Sequence, residues 1–148
     1  MSIEENKAVV RRLYEEVITG GNSAALDEIA ATDIHDYGMV QAGYPVGLAT
    51  FHQHIALFRT AFPDIVATVD ALIGDGDHVV AIWTATGTHR TTWFGIEPTG
   101  KRVTATNSSV LRLRGGKIVE YRVFTDRLSF LEQVGATVVA PRSMEAGS

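Results

Sequence analysis

Residues 101–126 read KRVTATNSSVLRLRGGKIVEYRVFTD, two long runs of alternating side chains that meet at Gly115-Gly116. A glycine pair between two such runs favours a tight hairpin, because both central residues of that turn need a positive φ. The stretch predicts two antiparallel strands, Lys101 to Leu113 and Lys117 to Asp126. Immediately upstream, Ile65 to Gly74 and His78 to His89 repeat the pattern and meet at Asp75-Gly76, a second hairpin signal. The two hairpins are joined by a long linker, Arg90 to Gly100, that contains Trp93, Phe94 and Pro98-Thr99-Gly100.

Further toward the N-terminus the period changes from 2 to 3.6. Ser2 and Glu5 have the spacing of a capping box, so a helix is expected from about Ile3. Its apolar stripe is Val10, Leu13, Tyr14, Val17 and Ile18, and Gly20-Gly21 stops it. Asn22 or Ser23 caps a short second helix to about Ala31, Ile34 to Tyr37 reads as a brief strand, and Gly38 to Gly47 as a loop. Leu48, Phe51, Ile55, Phe58 and Phe62 form the apolar face of a third helix that Pro63 ends. A last helical turn or two is expected over Leu128 to Val134. Helices followed by an antiparallel meander make an α+β domain over residues 1–135, with 136–148 as a flexible tail. A curved sheet closed by amphipathic helices encloses a concavity, the natural place for a ligand.

Composition narrows the function classes. The chain has 148 residues, 45% hydrophobic and 20% charged, which suits one globular domain with its own core. No cysteine is present, so disulfides and thiolate metal sites are excluded, and a reducing, cytoplasmic setting is expected. The polar, acidic start lacks the pattern of a secretory signal, and no apolar run approaches the ~18 residues of a membrane span. A net charge of -4 without a basic stripe argues against nucleic-acid binding.

The register of the final hairpin decides which polar side chains share a face. With Arg114 opposite Lys117, counting back pairs Ser109 with Arg122, Asn107 with Phe124 and Ala105 with Asp126. One face then holds a carboxylate, a guanidinium, an amide, a hydroxyl and an aromatic ring, a mixture suited to a pocket. A slip of one residue would exchange this set for the one containing Tyr121, Val123 and Thr125. Asp126 is open to two roles, capping the last helix or acting as a general acid/base in an apolar pocket. Arg122 could be a rim ion pair or hold an enolate; Asn107 could orient substrate or satisfy backbone.

Other candidates come from the helices and strand ends. His35 and Asp36, adjacent on a strand, should point to opposite faces. His52 and His54 cannot hold one metal from the same helix face, and no metal site is expected. His89 ends a strand beside the long linker and could line an entrance. Tyr14, on the apolar stripe of the first helix, is expected to pack in the core with its hydroxyl at the edge; a hydroxyl reaching into the pocket as a donor, and so a substrate contact, is the alternative. Phe58, Trp93, Ser109 and Phe124 complete the expected substrate contacts.

Several short runs then resemble one family. They include Glu5-Asn6-Lys7 with Val10 to Glu16, Gly21-Asn22 with Leu26-Asp27-Glu28, and Ala61-Phe62-Pro63-Asp64. Others are Trp83 to His89, Gly95 to Gly100, and Gly116 to Glu120 with Asp126, Leu128, Leu131 and Gln133-Val134-Gly135. In order and spacing these are similar to SnoaL-like polyketide cyclases. The resemblance implies the nuclear-transport-factor-2-like fold, a cone of curved sheet and helices around an internal pocket, assembled as homodimers or larger homo-oligomers. It also implies an aldol-type ring closure that needs no metal or organic cofactor, on a small hydrophobic carbonyl-bearing substrate. Asp126 occupies the position resembling the cyclases' acid/base aspartate, and His35 falls where the family often has a pocket histidine. Two residues depart from the pattern: Arg122 stands where many relatives carry tryptophan, and Tyr121 where many carry histidine. Two rival readings remain: epoxide opening or dehydration by Asp126, Arg122 and Asp36, and a binding domain without catalysis.

Overall fold

The computed structural model of the chain describes residues 1–137 and 139. The capping box forms as expected: Ser2 Oγ accepts from the Glu5 N–H at 3.1 Å while Glu5 accepts from the Ser2 N–H. Helix α1 (Ile3–Arg12) runs directly into a π-helical stretch, Leu13–Thr19, which turns Leu13, Tyr14, Val17 and Ile18 all toward the core. Helix α2 (Ser23–Ile29) leads into strand β1 (Ala30–Asp36). The segment expected as a loop begins instead with a short helix, α3 (Tyr37–Gln41), because Asp36 caps it by accepting from the Met39 N–H at 3.4 Å. Helix α4 (Leu48–Ala61) ends before Pro63.

Strands β2 (Val66–Asp75), β3 (His78–Thr88), β4 (Arg102–Arg114) and β5 (Lys117–Thr125) form the antiparallel meander, and α5 (Arg127–Gln133) closes the described chain. The sheet order is β1-β5-β4-β3-β2, and β1 joins it parallel to β5, so the sheet is mixed rather than wholly antiparallel. One face of this sheet packs on the helices. Val10, Tyr14, Ile18, Leu26, Phe51 and Ile55 meet Val79, Ala81, Trp83, Leu111 and Tyr121 in a single apolar core. The end of α4 approaches β3 at Gly87, where a Cβ would lie 2.9 Å from Phe62 Cβ, so only glycine admits that contact. The tail expected from residue 136 lies mostly outside the described residues.

The last hairpin corrects the predicted register. Gly115 and Gly116 take φ of 58° and 79°, and Arg114 pairs with Lys117 as expected. The ladder then shifts: Leu113 pairs with Ile118 but Arg112 pairs with Glu120, leaving Val119 as an extra residue in β5. Beyond this bulge Leu111 opposes Tyr121, Ser109 opposes Val123 and Asn107 opposes Thr125. The two faces of β5 are therefore exchanged relative to an unbroken count. The bulge buries both Ile118 and Val119, consecutive apolar residues that a strict alternation would have forced to opposite sides.

Candidate active site

An aromatic cavity of about 40 Å³ lies between the sheet, the C-terminal half of α4, α5 and the linker 90–100. Phe58 comes from α4 and Phe62 from its C-cap, Trp83 from β3, Phe130 from α5, and Trp93 and Phe94 from the linker. Its polar lining is sparse: Asn107, Thr86 and Thr125. The Asn107 amide nitrogen donates one N–H to Ala105 O at 3.2 Å, which leaves its second N–H and the amide oxygen for a ligand. The linker is fixed at its roots, with His89 N–H donating to Lys101 O, Gly100 N–H to His89 O and Arg90 N–H to Ala61 O. Its tip is held by aromatic contacts, Trp93 to Phe58 and Phe94 to Phe130, and by the Arg127 guanidinium 4.6 Å over the Phe94 ring. Phe94 has a φ of 48°, a strained value for a bulky side chain.

A second, polar group lies against the same wall. Asp36 is 1% exposed and its Oδ2 lies 2.6 Å from Nδ1 of His54, one helical turn from Phe58. The His54 ring stacks on Phe58 at 4.8 Å and meets the Tyr121 ring edge-on at 5.9 Å. Parallel pairing of β1 with β5 sets Asp36 beside Tyr121 on the inner face. Ser109, on β4 next to that row, accepts the Trp83 indole N–H at 3.0 Å. The hydroxyls of Tyr14 and Tyr121 are fully buried, with the Ser109 hydroxyl as a polar neighbour of both. Burial pushes both phenols up, Tyr14 further through its closeness to Tyr121, while nearby Ser109 pulls each partly back. Both are therefore protonated donors at neutral pH.

The structure divides the expected site residues into three groups. Phe58, Trp93 and Asn107 line the cavity. Tyr14 and Ser109 belong to the polar group and do not line the cavity; both lie behind Trp83, whose ring is 5.0 Å from that of Tyr14 and whose indole N–H donates to Ser109. His89 is buried at the root of the linker, where Nδ1 accepts the Thr99 N–H at 3.3 Å and the ring packs on Phe62 and Phe130. It braces the linker and does not line the cavity.

Four expectations are corrected. The Val119 bulge sends Arg122 and Phe124 to the outer face, where Arg122 sits 3.6 Å over the Tyr37 ring and Phe124 is 59% exposed. His35 alternates outward from Asp36 and stacks on Tyr37 at 4.0 Å. Asp126 is exposed and caps α5, accepting the Ser129 N–H at 3.0 Å. With Arg122 and Asp126 outside, the pair of carboxylates flanking an arginine is not assembled, although Asp36 does face inward.

His54 is the residue that sequence reasoning passed over. The signal was present: it falls between Phe51 and Phe58 in the apolar stripe of α4, whereas His52 faces away and pairs with Asp27 at 2.6 Å. Among the described residues no cluster of histidines and acids has the makings of a metal site.

The model of the SnoaL-like polyketide cyclase family matches residues 8–134 of the chain. Among solved structures, IdmH from Streptomyces antibioticus, provisionally termed a polyketide cyclase, is 31% identical with a TM-score of 0.73, over 88% of this chain and 99% of IdmH. A protein from Acidithiobacillus ferrooxidans, provisionally termed likewise, is 31% identical with a TM-score of 0.75, over 90% and 97% of the two chains. TsrD from Streptomyces laurentii shares the fold, with a TM-score of 0.84 at 18% identity, over 93% and 99% of the chains. A search of curated proteins finds no match.

Proposed function

The chain belongs to the SnoaL-like polyketide cyclase family, and from that premise we propose that it catalyses a cofactor-independent, aldol-type ring closure or isomerisation of a small, hydrophobic, carbonyl-bearing substrate. The observation that carries this reading is the pair of buried Asp36 and part-buried His54, 2.6 Å apart, with His54 stacked on Phe58 of the aromatic cavity. An ionised Asp36 only accepts, so it fixes the proton on His54 Nδ1 and leaves the Nε2 lone pair as the base. Asp36 is itself held in place by the Met39 N–H. His54 Nε2 removes a proton alpha to a carbonyl, and the electron pair moves to the carbonyl oxygen. The enolate carbon then attacks a second carbonyl of the folded substrate, and the new alkoxide recovers the proton from the imidazolium. The cavity supplies the apolar bed that holds the chain folded, which favours the intramolecular step.

General-base help of this kind is worth about 10²–10⁴ in rate. Exchange of the alpha protons of an aromatic β-keto ester in deuterated water, followed by NMR, measures the first step alone. His54→Gln should lower that exchange by about 10²–10⁴ with an unchanged circular dichroism spectrum. Full exchange in the variant, or none in the parent across ketones and esters, would sink the proposal and favour a binding domain.

We also infer a homodimer in a soluble, cytoplasmic setting. Support for the assembly is the outer sheet face, where Phe124 is 59% exposed and pairs with Ser108, which in turn pairs with Ile82. No described helix is long and apolar enough to cross a membrane.

A further inference from the structure

We propose that the turn Trp93–Ile96 at the tip of the linker is a lid shut over the aromatic cavity, with Phe94 and Arg127 as its latch, and that a ligand enters only when this lid lifts. The assignment deepens the proposed function by naming the residues that control access to its cavity, and rests on that reading only for the identity of the ligand.

The size of the cavity makes the first argument. Its volume is about 40 Å³, whereas a protein cavity that takes up benzene measures about 150 Å³. A single bare ring already exceeds the space, so part of the lining must move. Phe58, Trp83 and Phe130 stand on α4, β3 and α5, whereas Trp93 and Phe94 stand on the linker. Among the described residues, the backbone hydrogen bonds made between Thr91 and Pro98 are the two that close the turn on itself. These run from Trp93 N–H to Ile96 O at 3.0 Å and from Ile96 N–H to Trp93 O at 2.9 Å. Apart from its two ends, the turn is thus tied to the body by side chains. The ties are the rings of Phe58, Phe62 and Phe130 and the exposed Arg127 guanidinium over Phe94. The shut turn needs a positive φ at both central positions. Gly95 takes 76° freely, but Phe94 holds 48° against its own side chain, a strain that favours release. Gly100, at φ 70° in the root of the linker, supplies a hinge.

The test titrates fluorobenzene with the full-length protein and follows it by fluorine NMR. The probe has no carbonyl, so its entry is read apart from catalysis, and it is uncharged like every residue that lines the cavity. A ligand that binds only the lifted state associates at a rate scaled by the population of that state. The parent should therefore take up the probe well below the rate of diffusion. Arg127→Gln removes only the cation over the ring and should speed association about 2- to 5-fold. Phe94→Ala removes the ring contacts as well and should speed it about 10- to 100-fold. Arg127 lies on the exposed side of α5, so its variant keeps the test available if Phe94→Ala does not fold. Equal association rates in the parent and the variants would overturn the proposal, as would diffusion-limited uptake by the parent or no binding by any of them. A lower midpoint of thermal unfolding at an unchanged rate marks a packing role and overturns it too. A parent that gates fluorobenzene yet exchanges no alpha protons keeps the lid and loses the base, so the two failures are read separately.

Discussion

At the scale of single residues, the contrast between Asp126 and Asp36 separates position in the chain from chemistry. Both are aspartates at the end of a strand, and both cap the following helix. Asp126 does nothing more in the described structure, because its carboxylate stands in water. Asp36 is enclosed, and its second oxygen orients a histidine. Replacing Asp126 by alanine should cost about 1 kcal/mol, the ordinary worth of a cap, and Asp126→Asn close to nothing. Both should leave alpha-proton exchange within twofold of the parent. Urea unfolding and the NMR assay check the pair of statements. A hundredfold loss in Asp126→Asn would return the acid/base role to that residue. The identity of the inward residues was only partly legible. Phe58 and Asn107 could be placed from period alone, whereas Asp36 and His54 meet across 18 positions of sequence that no local pattern connects.

At the scale of elements, one inserted residue in β5 governs the site. The turn, the lengths of both strands and their antiparallel sense followed from glycine placement and alternation. What alternation could not supply was Val119, whose extra place reverses the facing of everything after it. Its trace in the sequence is the doublet Ile118-Val119, which breaks the period once. Deleting Val119 should restore the unbroken register, turning Tyr121 outward and driving Arg122 into the core. Burial of an unpaired guanidinium costs several kcal/mol, a large part of the 5–15 kcal/mol that holds a domain together. The deletion should therefore yield insoluble or non-cooperatively unfolding protein. Dispersed amide resonances and a parent-like melting curve would contradict the role given to the bulge. The π-helical stretch is the second departure from regular geometry, and it carries the buried Tyr14 against Trp83.

At the scale of the whole molecule, the inner sheet face carries the apolar core and the cavity, and the outer face leaves Phe124 exposed. The proposed homodimer buries Phe124, so Phe124→Glu should convert it to monomer in sedimentation velocity while leaving the cavity intact. A parent that sediments as a monomer at micromolar concentration would end that inference.

The amino-acid sequence alone determined the α+β class, the order and approximate bounds of almost every element, and the family. Those depend on periodicity, caps and turns, which act between residues a few positions apart. Only the tertiary structure decided which carboxylate is buried, which histidine it meets, and which face of β5 looks inward. These are settled by strand pairing and a bulge, where core packing outweighs local preference, and a shift of one residue reverses the answer.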